Sequence, residues 1–165
     1  MDKTAIEHWS PVIGGQFWWT GLIFVLIFVP IMIFLGGKIS SKQRDMVLYG
    51  MGIYQLGNKA LTQIGYIFSD NYIMASNLPL HLCGLSGILA GIVVFYRKQI
   101  LFEFLYFFGL VGFIHSVLTP EFTGGVSSWK IFDYYVGHSM LIIIPVWWLM
   151  KYYEFRLRHN AWWTS

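Results

Sequence analysis

Five apolar stretches follow one another along this chain, at about 17–35, 46–68, 79–96, 100–118 and 133–150, with polar segments between them. A helix that crosses the hydrocarbon of a bilayer needs about 20 mostly apolar residues, and each stretch is close to that length. No water is available inside lipid, so every backbone N–H and C=O must be satisfied within the segment, and such stretches are helices. The spacing predicts an all-α fold, a polytopic transmembrane helix bundle of five spans, as a single integral membrane domain over residues 1–165. Of the 165 residues, 56% are hydrophobic and 12% charged, which leaves no room for a separate soluble domain.

The basic residues set the expected orientation. Lys38, Lys42, Arg44, Arg97, Lys98, Lys151, Arg156 and Arg158 fall on one side of a five-span chain, and Lys3 and Lys130 on the other. Cytoplasmic loops carry the excess of Lys and Arg, so the N-terminus is expected outside and the C-terminus inside. Trp9, Trp18 and Trp19 then sit at the outer interface, and Trp147, Trp148, Trp162 and Trp163 at or near the inner one. The first stretch is long enough to span and reads as an uncleaved helix, kinked at Pro30. The net charge of +3 comes from loop residues rather than from a basic patch, so nucleic acid is not an expected partner. Cys83 is the single cysteine, so no internal disulfide can form.

Ionisable side chains inside apolar helices are costly and mark function or a wet interior. With N-out topology, His81 and Cys83 at the start of the third stretch, His115 near the end of the fourth and His138 near the start of the fifth all fall in the outer half of the bilayer. The second stretch adds Gly52, Gln55, Lys59, Thr62, Gln63 and Tyr66, recurring three and four residues apart on one helix face. A face that is polar along its whole length must point inward in lipid. On the fourth stretch Gly109, Gly112, His115, Ser116 and Thr119 read as one small, polar face, and on the fifth Tyr134 lies one turn before His138. The expectation is a polar, histidine-lined cavity. Cys83 has two readings. It is either a nucleophile with a histidine on another helix as base, or a small packing residue on the Cys83–Gly87–Gly91 face. No helix carries a histidine pair four apart and no glycine-rich phosphate loop is present, so neither a metal nor a cofactor is expected.

The segment LPLHLC at Leu78–Cys83, the pattern LYFFGLVGFIHSVLTPEF at Leu105–Phe122 and DYYVGHSMLIIIP at Asp133–Pro145 together resemble the bacterial YwaF-like integral membrane proteins. The last two segments also resemble the related eukaryotic transmembrane acyltransferases that form polyunsaturated ether phospholipids. That resemblance implies cysteine-dependent acyl transfer with a histidine partner, at the Cys83 neighbourhood and His138, in a bacterial cytoplasmic membrane. The eukaryotic pattern has its cysteine directly before the histidine of the third stretch, where this chain has Leu80.

Together these readings point to a lipid-modifying enzyme with membrane lipids as partners. His138 is the expected base with Tyr134 orienting it, Cys83 the acyl carrier, and Lys59 the group that holds a phosphate or carboxylate. His115, His81, Gln63 and Tyr66 complete the expected site. The competing readings are a non-enzymatic lipid or small-molecule carrier, a proton relay, or a structural subunit of a membrane complex, as a homo-oligomer or beside a partner membrane subunit.

Overall fold

The computed structural model describes residues 8–68, 82–123 and 127–158. Five long helices account for most of them: α1 (Gln16–Lys38), α2 (Ser41–Ile67), α3 (Leu82–Phe95), α4 (Gln99–Leu118) and α5 (Ser128–Ile142). α5 continues into a π-helical segment, Ile143–Leu149, and a last turn, α6 (Met150–Tyr152). A two-residue antiparallel bridge, β1 (His8–Trp9) with β2 (Phe122–Thr123), pairs Trp9 with Phe122 and ties the N-terminal segment to the chain after α4.

α1 and α4 are each long and apolar enough to cross a membrane, with mean hydropathy 2.5 and 1.8. α1 buries only Gly21, Val25 and Gly36 and turns Leu26, Ile27, Ile31 and Phe34 outward. An apolar surface of that extent fits hydrocarbon rather than water. The packing runs α2 on α3, α3 on α4 and α4 on α5, with α1 laid against α5. The apolar core gathers toward the Arg- and Lys-rich end, around Leu48, Val93, Val94, Phe102, Leu105 and Trp148.

Local chemistry moves several boundaries. Ser40 and Gln43 cap α2: the Ser40 backbone N–H donates to Gln43 Oε1 at 2.9 Å, and the Gln43 N–H to Ser40 Oγ at 3.4 Å. This reciprocal cap starts the helix ahead of the apolar run. Ser127 does the same for α5, accepting from the Lys130 N–H at 3.3 Å, so that helix begins ahead of Asp133. The expected single fifth helix changes character after Ile142. Pro145 has no N–H to give to Leu141 and its ring crowds that carbonyl, so the backbone widens into π geometry. The Trp148 side chain faces inward. It is 1% exposed and packs beside Gly36 and Tyr152 in the core. Trp162, Trp163 and the start of the third apolar stretch lie outside the described residues, and the Trp147 side chain is likewise not described.

Candidate functional site

The polar interior lies where α2, α3, α4 and α5 meet, displaced from the apolar core. Asp133, in the second turn of α5, is its focus. The Tyr54 hydroxyl donates to Asp133 Oδ1, and Asn58 Nδ2 reaches both carboxylate oxygens, at 2.9 and 2.8 Å. Gln55, 2% exposed, donates from Nε2 to the Gly137 carbonyl at 2.7 Å. Tyr54 and Asn58 are four residues apart, as are Gln55 and Lys59, so α2 presents two adjacent polar stripes to its neighbours. Asp133 is half-buried, and a carboxylate withdrawn from water in part is stabilised by hydrogen bonds; this one collects two donor side chains.

Lys59 supplies the cation. Its stem lies across α3 in the space that Gly87 leaves open: a Cβ on Gly87 would stand 2.7 Å from Lys59 Cε and 3.7 Å from Nζ. Lys59 is close enough to both Asp133 and Cys83 for the charges to interact. Cys83, half-buried in the first turn of α3, donates from Sγ to the Gly112 carbonyl of α4 at 3.7 Å.

α5 approaches the same stretch of α4. The Tyr134 hydroxyl donates to the Ser116 carbonyl at 3.1 Å, and its ring centroid lies 4.1 Å from that of His138. His138 Nδ1 is 2.7 Å from the Tyr134 carbonyl. The only proton that bond can use is on Nδ1, which leaves the lone pair on Nε2 in the neutral ring. Gly112 and Ser116 are one turn apart. Cys83 from α3 and the Tyr134–His138 pair from α5 therefore meet one face of α4.

Of the expected histidines, His138 lies at this site and His115 does not. The buried face of α4 is Gly109, Gly112 and Ser116, and His115 is exposed beside Val111, Ile114 and Leu118. The close approach of Gly109 to α5 and the Tyr134–Ser116 bond set this rotation, and one residue of offset turns His115 away. His81 lies outside the described residues, as does the Tyr66 side chain. Gln63 is half-buried near the C-terminal end of α2, and Thr62 is exposed. Tyr54, Asn58 and Asp133 were not among the expected site residues. Their signal was Lys59: a cation in an apolar span calls for a carboxylate, and Asp133 opens the fifth apolar stretch. Among the described residues no group of three or more His, Cys, Asp and Glu side chains is placed to hold a metal ion.

A separate apolar cavity of about 310 Å³ lies between β1, α1 and α5, walled by Trp9, Phe17, Phe24, Phe122, Phe132 and Tyr135. Phe122 stands between it and the polar site, with its ring centroid 4.6 Å from that of Tyr134.

Apolar helices that face outward around a polar, hydrogen-bonded interior define an α-helical membrane protein. The chain belongs to the TMEM164 family, whose family model matches residues 6–165. This family is the eukaryotic relative in the resemblance drawn from the sequence. Comparison with curated proteins and with solved structures gave no match.

Proposed function

We propose that this protein is a membrane-embedded lipid acyltransferase that crosses the bilayer five times, N-terminus outside, with its site in the outer half. The observation that carries this reading is the meeting of Cys83 and the Tyr134–His138 pair on one face of α4, beside Lys59. A thiol, an oriented imidazole and a cation are the groups that acyl transfer from an anionic lipid ester needs.

His138 Nε2 takes the Cys83 thiol proton as Sγ attacks the ester carbonyl of the donor lipid. The ester C–O bond breaks, His138 returns the proton to the departing alkoxide, and the acyl group stays on Sγ as a thioester. An acceptor hydroxyl then attacks the thioester and gives its proton to His138. The C–S bond breaks, and the thiolate is reprotonated from the imidazolium. Lys59 holds the lipid phosphate as a point charge, with Gln63 further out on the same helix. The apolar cavity beside Tyr134 seats hydrocarbon. The residues of this scheme are the chain's own and it uses no metal or cofactor.

The test is reconstitution into vesicles that contain a phospholipid with a labelled acyl chain and a lysophospholipid acceptor. Label is expected to pass to the acceptor, and a hydroxylamine-labile label is expected on Cys83. His138→Ala and Cys83→Ser each abolish transfer. Equal transfer by both variants would overturn the reading.

The Sγ to Gly112 carbonyl contact favours a second reading, in which Cys83 serves helix packing and the polar interior belongs to a carrier, a proton relay or a subunit of a larger complex. In that case no label reaches the acceptor and Cys83→Ser is silent in every assay.

A further inference from the structure

At the Arg- and Lys-rich end of the bundle, Tyr152 joins three elements. Its hydroxyl donates to the Ile33 carbonyl of α1 at 2.9 Å. Gly36 lets its ring lie against α1, since a Cβ there would stand 2.9 Å from Tyr152 Cε2. Two cations share this one ring: Arg44 Cζ is 4.7 Å from its centroid and Lys151 Nζ is 5.7 Å from it.

The charge of Asp45 reaches Arg44, but among the described residues no carboxylate pairs with either cation. Arg44 Nε is buried with no hydrogen-bond partner among the described residues. The neighbouring carboxylate, Asp45, accepts from Arg97 at 2.9 Å and from the Tyr153 hydroxyl at 2.8 Å. Glu103 is held by Arg158, at 2.9 Å from Nε and 2.8 Å from NH2, and by Gln99 at 2.8 Å. Among the described residues neither Arg44 nor Lys151 forms an ion pair. Two like charges over one ring repel, and a buried guanidinium N–H without an acceptor is costly. One anion between them removes both penalties.

We propose that Arg44, Lys151 and Tyr152 form a binding site for a phosphate group, carried by an anionic phospholipid. The planar guanidinium offers paired N–H donors to phosphate oxygens and the ammonium adds a point charge. The lipid is favoured over free phosphate by what adjoins the site. The outward-facing Ile31, Phe34 and Leu35 of α1 continue from it along the bundle and offer hydrocarbon contact to acyl chains. Lys38, stacked 5.1 Å from the Phe34 ring centroid, adds a further cation at the headgroup level. This site lies at the opposite end of the bundle from the proposed acyl-transfer site and does not depend on it.

The experiment follows the thermal midpoint of the detergent-purified full chain as a short-chain lipid is added. Phosphatidylglycerol is expected to raise the midpoint of the wild type and phosphatidylcholine to leave it unchanged. The apparent affinity for phosphatidylglycerol is expected to fall about fivefold for each cation removed, in Lys151→Gln and again in the Arg44→Gln/Lys151→Gln pair. Lys151 is exposed, so Lys151→Gln keeps the test alive if the double variant does not fold. An inorganic phosphate arm separates the sources: a rise equal to that with phosphatidylglycerol assigns the site to free phosphate and removes the lipid. Equal responses to the two lipids in the wild type, or an undiminished response to phosphatidylglycerol in Lys151→Gln, would overturn the site.

Discussion

Gly109 of α4 faces the carbonyl of Leu141 on α5 so closely that a Cβ on Gly109 would stand 2.8 Å from the Leu141 oxygen. That carbonyl lies four residues before Pro145, which has no N–H to offer it. The approach of the two helices and the π-helical segment after Ile142 are thus parts of one arrangement. Gly109→Ala is expected to destabilise the fold by about 1–3 kcal/mol, the usual cost of overpacking against a backbone that cannot retreat. Unfolding in mixed detergent micelles measures it. Gly112→Ala is the contrast: its Cβ would meet Cys83 Sγ at an ordinary 3.5 Å, and little change is expected.

Asp133 gathers Tyr54 and Asn58 from α2, and removal of its carboxylate strands both donors. Asp133→Ala is expected to cost about 1–3 kcal/mol for each donor left unsatisfied. Asp133→Asn keeps an acceptor for Tyr54 but sets an amide NH2 against that of Asn58, and should fall between the wild type and Asp133→Ala. The Tyr54→Phe/Asp133→Asn double-mutant cycle checks that the loss belongs to this contact, since coupled residues depart from additivity.

Cys83 separates chemistry from packing. In the acyl-transfer reading Cys83→Ser removes transfer while the detergent-purified protein keeps its thermal midpoint, because serine preserves size. Cys83→Leu is expected to lower the midpoint through the contact with Gly112. Transfer assays and thermal unfolding on the same preparations distinguish these outcomes.

Asp45 and Tyr153 fasten the C-terminal segment to the start of α2 at 2.8 Å. Burial, and then the hydrogen bond to Asp45, push the Tyr153 phenol up to about 12. The folded state favours the neutral phenol, so its contribution is whole below the ordinary phenol range near ~10 and is lost as pH rises toward about 12. The hydrogen bond from Tyr153, and then that from Arg97, hold the Asp45 carboxyl below its ordinary value. Its contribution is present above the usual carboxylate range near ~3.9 and fades only as pH falls below that. The contact therefore holds across neutral pH and is released from the alkaline side. Tyrosinate absorbance followed against pH should lose a component that titrates up to about 12 in Tyr153→Phe, while any later-titrating tyrosines remain.

The apolar runs by themselves determined that the chain is helical and where most of it lies, because hydrocarbon demands that every backbone group be satisfied within its own segment. The polar face of α2 was legible for the same reason: Gln55 and Lys59 recur at helical spacing, and such a face has to turn inward. The caps at Ser40 and Ser127 were also present as residue types, although the apolar runs drew the eye past them. The tertiary structure alone decided the rotation of each helix about its axis. Periodicity assigns Gly109, Gly112, His115 and Ser116 to neighbouring positions, and only the contact of Gly109 with Leu141 and of Tyr134 with Ser116 selects which of them face α5. That rotation buries Ser116 and exposes His115. Partner choice was equally beyond a single sequence. Lys59 implied a carboxylate, but contacts such as Tyr54 and Asn58 to Asp133, or Arg44 and Lys151 over one Tyr152 ring, join residues tens of positions apart, and their register is set by how helices pack rather than by any local pattern.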